Sequence, residues 1–161
     1  MAKRKPPILI QRELLLDASR KPDELRIEEV VNFQRKGFPM LLVAEQPVRW
    51  RPTRKAVDHD LMLQQELHQL IRRAGAELDG VLYLTTGLFA RRRARLEQLD
   101  DLAGRYDVDS ADLVIISTEA ILLESIIQTG GRALAVGDVP VAGATRHESL
   151  RAALDHVSRR S

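Results

Sequence analysis

The chain of 161 residues contains no cysteine. Disulfide bonds, thiolate metal sites and a cysteine nucleophile are therefore excluded. Aromatic residues are scarce as well, since Phe, Trp and Tyr together make up only 4% of the chain. The absence of disulfides is typical of a reducing compartment, so we expect a cytoplasmic protein.

The chain also lacks a hydrophobic run long enough to cross a membrane. The most apolar window, residues 113–127, is interrupted by Glu119 and Glu124 and falls short of the ~20 residues that a span requires. The basic N-terminus precedes only a short apolar run that contains charges, which does not match a secretory signal peptide. We expect one soluble domain over residues 1–161, with residues 1–6 as a flexible basic tail.

The formal net charge is only +2, although 30% of the residues are charged. Part of the positive excess lies in a proline-bearing loop that contains the single tryptophan. Four residues of this region are candidates for contact with a protein partner or with nucleic acid: Arg49, Trp50, Arg51 and Arg54. Aromatic and basic side chains together suit both kinds of partner. A loop that is simply anchored by its tryptophan against the domain is the alternative interpretation.

A second basic cluster runs from Arg91 to Arg95 and includes Arg92 and Arg93. Arginines at the start of a helix oppose the helix dipole, so an acidic neighbour or a bound anion is expected to compensate them. The cluster therefore predicts either an anion contact or a solvated start of a helix.

Short apolar runs alternate with helical patterns along the chain. Five runs predict buried strands, at residues 8–10, 40–43, 81–84, 113–116 and 133–136. Five stretches predict helices, at residues 23–36, 58–74, 92–106, from Ser117 or Thr118 to 128, and 146–159. Strands that are apolar throughout and alternate with helices predict an α/β fold, a three-layer α/β/α sandwich with a parallel sheet. Ligands of such sheets bind outside the carboxyl ends of the strands.

The chain resembles a known family at three places: the order of its elements, Gly37-Phe38 ahead of a strand, and the segment Leu78-Asp79-Gly80-Val81-Leu82-Tyr83. The family is that of the haloacid dehalogenase (HAD)-like phosphatases, in the branch that contains heptose bisphosphate phosphatase and the histidinol-phosphatase domain. The resemblance extends from Ile8 to about Val157. It implies a Rossmann-like parallel sheet without a large cap domain.

The resemblance implies phosphomonoester hydrolysis with Mg²⁺, but the residues that this chemistry needs are changed. The family's nucleophilic aspartate and its acid/base aspartate match Gln11 and Glu13, and its hydroxyl, lysine and metal-ligand positions match Ala44, Arg93 and Ile116. An amide is a poor nucleophile compared with a carboxylate, and Mg²⁺ prefers carboxylate oxygens. We therefore expect no catalytic residues, no magnesium site and no other cofactor.

The four histidines predict no metal site either. His59 and His68 are nine residues apart, as are His147 and His156, and each pair falls on one predicted helix. Two ligands on one helix need a spacing of three or four residues.

These changes favour a catalytically inactive pseudo-phosphatase that acts as a binding or regulatory protein. Its partner is expected to be a protein, which includes a second copy of the chain, or an anionic ligand. The residues expected to hold an anionic ligand are Arg12, Gln46, Arg92 and Arg93. Two alternatives stay open: a phosphatase with a rearranged site that uses Glu13 and Glu119, and a nucleic-acid-binding protein that uses the basic loops.

Overall fold

The computed structural model of the protein describes residues 5–47, 54–86 and 92–159. Six strands lie in these residues: β1 (Ile8–Gln11), β2 (Met40–Pro47), β3 (Gly80–Thr86), β4 (Val114–Ser117), β5 (Arg132–Val136) and β6 (Thr145–His147). Five α-helices lie between or after them: α1 (Glu24–Gln34), α2 (Arg54–Arg73), α3 (Arg92–Arg105), α4 (Ala120–Gln128) and α5 (Leu150–Arg159). Two short 3₁₀ turns complete the set, Arg12–Leu15 after β1 and Ser110–Asp112 before β4. Within the described ranges, no helix combines the length and hydrophobicity that a bilayer span requires.

The strands form one parallel sheet in the order β3-β2-β1-β4-β5-β6, which confirms the predicted architecture. In the middle of the sheet, Ile10 lies opposite Leu42 on one side and Ile116 on the other. The chain moves outward from β1 through β2 to β3 and then crosses back to β4. The switch point of the topology, where ligands of such sheets bind, is therefore between the carboxyl ends of β1 and β4.

Alternate residues of the strands pack against two separate helical layers. Side chains such as Ile10 and Leu42 pack with α1, α2 and α5, while Leu9 and Ile115 pack with α3 and α4. The central strands are buried on both faces, and this explains why their sequences are apolar throughout rather than alternating.

The segments that carry the family resemblance have structural roles. Gly37 adopts a φ of +97° directly after α1, a conformation that favours glycine, and Phe38 stacks on Phe33 with ring centroids 4.6 Å apart. Asp79 joins the starts of β2 and β3, because its Oδ2 accepts a hydrogen bond from the main-chain N–H of Met40 at 2.7 Å. These residues stabilise the fold and do not form a site.

Several element boundaries differ from the prediction. Strand β2 extends to Pro47 and not to residue 43, and β3 spans Gly80–Thr86 and not residues 81–84. Residues 145–147 pair with β5 as a sixth strand, so α5 begins at Leu150 and not at residue 146. Helix α2 begins at Arg54 and not at residue 58. Helix α4 begins at Ala120 because Ser117 completes β4 and Thr118 is held by hydrogen bonds to Gln11.

Candidate functional site

Gln11 lies at the switch point, as the last residue of β1, and only 2% of its surface is exposed. Its side-chain oxygen accepts three hydrogen bonds: from Ser117 Oγ at 3.0 Å, from the main-chain N–H of Thr118 at 2.7 Å and from Thr118 Oγ1 at 2.9 Å. An amide oxygen has two lone pairs, so three donors occupy it fully. The side chain that matches the family's nucleophile therefore fastens β1 to β4.

Ser117 and Thr118 are the residues at the end of β4, and this corrects the expectation for Ile116. Ile116 is fully buried inside the strand, opposite Ile10, and its side chain belongs to the core. Ser117 or Thr118 was predicted to cap the following helix, and neither was assigned a contact at the site. Two hydroxyl residues directly after an apolar run were the signal that could have placed them at the site.

Arg12 follows Gln11 and is held by α2, with 6% of its surface exposed. Its Nη1 donates to Oε1 of Gln64 at 3.1 Å, and its Nη2 donates to Oδ1 of Asp60 at 2.5 Å. The hydroxyl of Tyr83 on β3 donates to the other oxygen of Asp60 at 3.0 Å. We call these four residues the Arg12 cluster: Arg12, Asp60, Gln64 and Tyr83.

Sequence reasoning predicted Arg12 but missed its three partners. Asp60 and Gln64 are one turn apart on α2, where the polar side chains face inward among the leucines of an amphipathic helix. The signal available in the sequence was an Asp and a Gln at a spacing of four on the apolar face of the predicted helix.

The charges of the Arg12 cluster influence one another. Burial opposes ionisation of Asp60, but the hydrogen bond and charge of Arg12, with help from Tyr83 and Arg20, outweigh it and lower the pKa of Asp60. Burial and the hydrogen bond to Asp60 raise the pKa of the Tyr83 hydroxyl. At neutral pH the cluster therefore contains a carboxylate, a guanidinium and a neutral phenol.

Two donors of the Arg12 cluster have no acceptor among the described residues. They are Nε of Arg12 and Nε2 of Gln64, and both atoms are buried. An unmet buried donor costs about 1–3 kcal/mol. Each of these atoms can therefore donate a hydrogen bond to one further oxygen atom, with a gain in stability.

The two carboxylates of the rearranged-site hypothesis are not joined by any hydrogen bond or ion pair among the described residues. Glu13 is exposed and forms an ion pair with Arg20 at 2.8 Å. Glu119 is exposed at the start of α4, where its side chain makes no capping hydrogen bond. Glu13 would have to leave Arg20 before it could act as a general acid or base.

Arg92 and Arg93 do not join Arg12. Arg93 is paired with Glu97 at 3.3 Å, and its side chain is 92% exposed. Arg92 donates through Nε to Oε1 of Gln128 at 2.5 Å. Gln128 ends α4, a helix that begins near Thr118 and rises about 12 Å over its nine residues, so the contact of Arg92 lies a helix length away from the switch point.

Of the other predicted residues, some lie in β2 or α2 and the rest lie outside the described residues. Ala44 is buried in β2 opposite Tyr83 and offers only a methyl group, while the backbone of Gln46 pairs with Thr85. Arg54 is the exposed first residue of α2. The side chain of Gln46, the residues Arg49, Trp50 and Arg51, and most of the predicted basic tail lie outside the described residues, so the nucleic-acid hypothesis stays a prediction.

The prediction that His147 and His156 share one helix is wrong. His147 lies on β6 and His156 on α5, and their ring centroids are 4.9 Å apart. Burial, followed by the charges of His156 and Arg159, lowers the pKa of His147. In the part of the chain that the structure describes, no three or more His, Asp or Glu side chains are grouped so that they could hold a metal ion.

The donors at the switch point do not fit Mg²⁺. This ion takes oxygen ligands in a near-octahedral shell, with one or two carboxylates in most protein sites. The hydrogen-bonded group of Gln11, Ser117 and Thr118 offers an amide and two hydroxyls, and the amide oxygen already accepts three hydrogen bonds.

No protein-family model and no curated protein sequence matches the chain, but solved structures do. D,D-heptose 1,7-bisphosphate phosphatase from B. bronchiseptica, solved with magnesium and phosphate, superposes with a TM-score of 0.69 at 15% identity, over 97% of this chain and 99% of that one. The phosphatase of the same name from Burkholderia thailandensis gives 0.65 at 17% identity, over 96% and 99%. The chain has the HAD-like fold. A HAD-superfamily hydrolase from Geobacter sulfurreducens also matches, with a TM-score of 0.54 at 12% identity over 81% of this chain and 54% of that one.

These matches confirm the predicted resemblance to HAD-like phosphatases at the level of the fold. Sequence identities of 12–17% show the shared fold alone. A shared fold does not establish a shared chemistry.

Proposed function

We propose that this HAD-like protein binds a ligand with acidic oxygen atoms at the carboxyl edge of its sheet and does not hydrolyse phosphate esters. The observation that carries the proposal is the state of Gln11. Its oxygen is occupied by three hydrogen bonds at the position where the fold's phosphatases attack phosphate. Loss of one member of a catalytic set can reduce the rate by as much as ~10⁶.

The turn after β1 supports the loss of hydrolysis. Leu14 and Leu15 are buried in the same core cluster as Ile116. Their side chains anchor the turn Arg12–Leu15 to the core. As core side chains, Leu14 and Leu15 offer a phosphate no hydrogen-bond donor.

The Arg12 cluster supports the binding of an acidic group. A guanidinium recognises carboxylate and phosphate oxygens by charge-assisted hydrogen bonds, and Nε of Arg12 is one of the two unmet donors. Asp60 is partly exposed, so the cluster reaches the surface. A carboxylate or phosphate oxygen at Arg12 and Gln64 would supply the acceptors that these donors lack.

The absence of hydrolysis is tested with a panel of phosphomonoesters in the presence of Mg²⁺ and of Mn²⁺. We expect no turnover above that of buffer. Turnover that disappears in Glu13→Gln or Glu119→Gln, and persists in the exposed control Glu97→Gln, would establish the rearranged hydrolase and overturn the proposal.

Binding is tested by calorimetric titration with inorganic phosphate and with a short dicarboxylate. We expect binding that is lost in Gln64→Leu, which keeps the size of the side chain but removes the amide. The matched control is Gln65→Leu at the next, exposed position of α2. Equal binding by the two variants, or no binding by the unaltered chain, would contradict the assignment of the site.

A further inference from the structure

The chain protects the two edges of its sheet differently. The β6 edge has only three residues and carries Arg146 and His147, which are features that discourage pairing with another strand. The β3 edge has seven residues, Gly80–Thr86, with neither a charge nor a proline. Among the described residues β3 pairs with β2 alone, so its other side presents main-chain donors and acceptors.

Apolar side chains of α2 extend this open edge. Val57 and Leu61 are exposed large hydrophobic residues, and Leu61 is 53% exposed. They are four positions apart and therefore lie on one stripe of the helix.

The direction in which this stripe faces can be inferred from the residues of α2 that contact α1. Leu70 and Ala74 line a groove shared with α1. With about 100° of rotation per residue, Val57 and Leu61 lie on the flank of α2 that faces away from α1. In the sheet order that direction is the β3 edge.

The stripe and the strand are also level with each other. Tyr83 is the central residue of β3, and its hydroxyl donates to Asp60, the residue before Leu61. Leu61 is therefore level with the midpoint of the open strand. Gln98 of α3 donates to the main-chain oxygen of Tyr83 at 3.2 Å, so this oxygen faces away from β2 and a strand that pairs here would replace the Gln98 side chain.

We propose that the β3 edge binds a second copy of the same chain. Two β3 strands would pair antiparallel about a two-fold axis at Tyr83 and join the two sheets. Such an axis requires a self-complementary surface centred on the middle of the strand, and Leu61 at the level of Tyr83 meets this requirement. The lack of charge on β3 means that the strand meets no self-repulsion, and Leu61 would contact Leu61 of the partner subunit.

The test is the mass of the full chain in solution, measured by light scattering and sedimentation over a range of concentrations. We expect twice the 18.2 kDa of one chain. Leu61→Glu places like charges against each other at the axis, so its dimer should dissociate at least ~100-fold more readily. Met62→Glu is the matched control, because Met62 is 68% exposed and lies about 100° around α2 from Leu61, farther from the β3 edge. It should leave the dimer intact.

Two variants of opposite charge at residue 61 test whether this residue contacts its own counterpart in the dimer. Leu61→Glu and Leu61→Lys should each be monomeric alone and should form a mixed dimer when combined, because residue 61 meets its own counterpart. The proposal is overturned if the unaltered chain has a mass of 18.2 kDa up to its solubility limit. It is also overturned if Leu61→Glu dimerises as well as Met62→Glu, or if the two charged variants do not combine.

Discussion

The ion pair between Arg12 and Asp60 gives the sharpest energetic prediction. The Arg12 side chain is 7% exposed and that of Asp60 32%. Asp60→Asn leaves a buried cation without its counter-ion, whereas Arg12→Met leaves a carboxylate that water can reach. We therefore expect Asp60→Asn to be the more damaging substitution, although both partners lose the same bond.

The magnitudes follow from the burial of each group. Removing one member of a fully buried pair costs about 3–5 kcal/mol. Asp60→Asn should approach the lower end of that range, at about 3 kcal/mol, and Arg12→Met should cost about 2 kcal/mol because Asp60 can be rehydrated. In a double-mutant cycle the coupling energy should be about 1–2 kcal/mol.

The assay is urea unfolding of the four proteins at neutral pH, with the exposed pair of Glu13 and Arg20 as the control cycle. That control should couple by no more than about 0.5 kcal/mol. Because the pKa of Asp60 is lowered in the folded state, its stabilisation is present above the unfolded-state pKa of about 3.9 and is lost as pH falls through the folded-state value. A coupling energy no larger than that of the control cycle, or one that persists in acid, would refute the reasoning.

Three further outcomes are expected. Gln11→Leu removes the acceptor of three hydrogen bonds and should lower the free energy of unfolding in urea by about 2–3 kcal/mol. Leu123→Ala, at a fully buried position of α4, should lower the same quantity by about 2–5 kcal/mol. The lowered pKa of His147 means that the folded state resists its protonation, so stability should fall as pH drops below about 6.5. His147→Gln should flatten that part of a curve of melting temperature against pH, and an unchanged curve would contradict this expectation.

The main elements of the fold could be predicted because their signals are local. Strands β1 and β4 are runs of large apolar residues, and α5 repeats its buried leucines at helical spacing. Strand β6 gave no such signal, since Thr145-Arg146-His147 is polar and becomes a strand only by pairing with β5. Its pairing is a tertiary effect that no local pattern contains.

Only the residues of the candidate site that directly follow an apolar run could be predicted from the sequence. Gln11 and Arg12 follow an apolar run and were found directly. Their partners are distant in the chain, because Asp60 is 48 residues from Arg12 and Thr118 is 107 residues from Gln11. Arg93 is a different case, since its charge matches a family position while its side chain is 92% exposed and paired with Glu97.

The hydrogen bond from the Thr118 main chain to Gln11 has a consequence for motion. An amide beyond the end of a strand normally exchanges its proton with solvent through small local openings. The amide of Thr118 is held at 2.7 Å by a buried side chain of the neighbouring central strand, so its exchange requires this contact between β1 and β4 to break. Deuterium uptake at Thr118 should therefore be as slow as in the core strands. The crevice that is usually a mobile region of an α/β protein would here be among its most rigid parts.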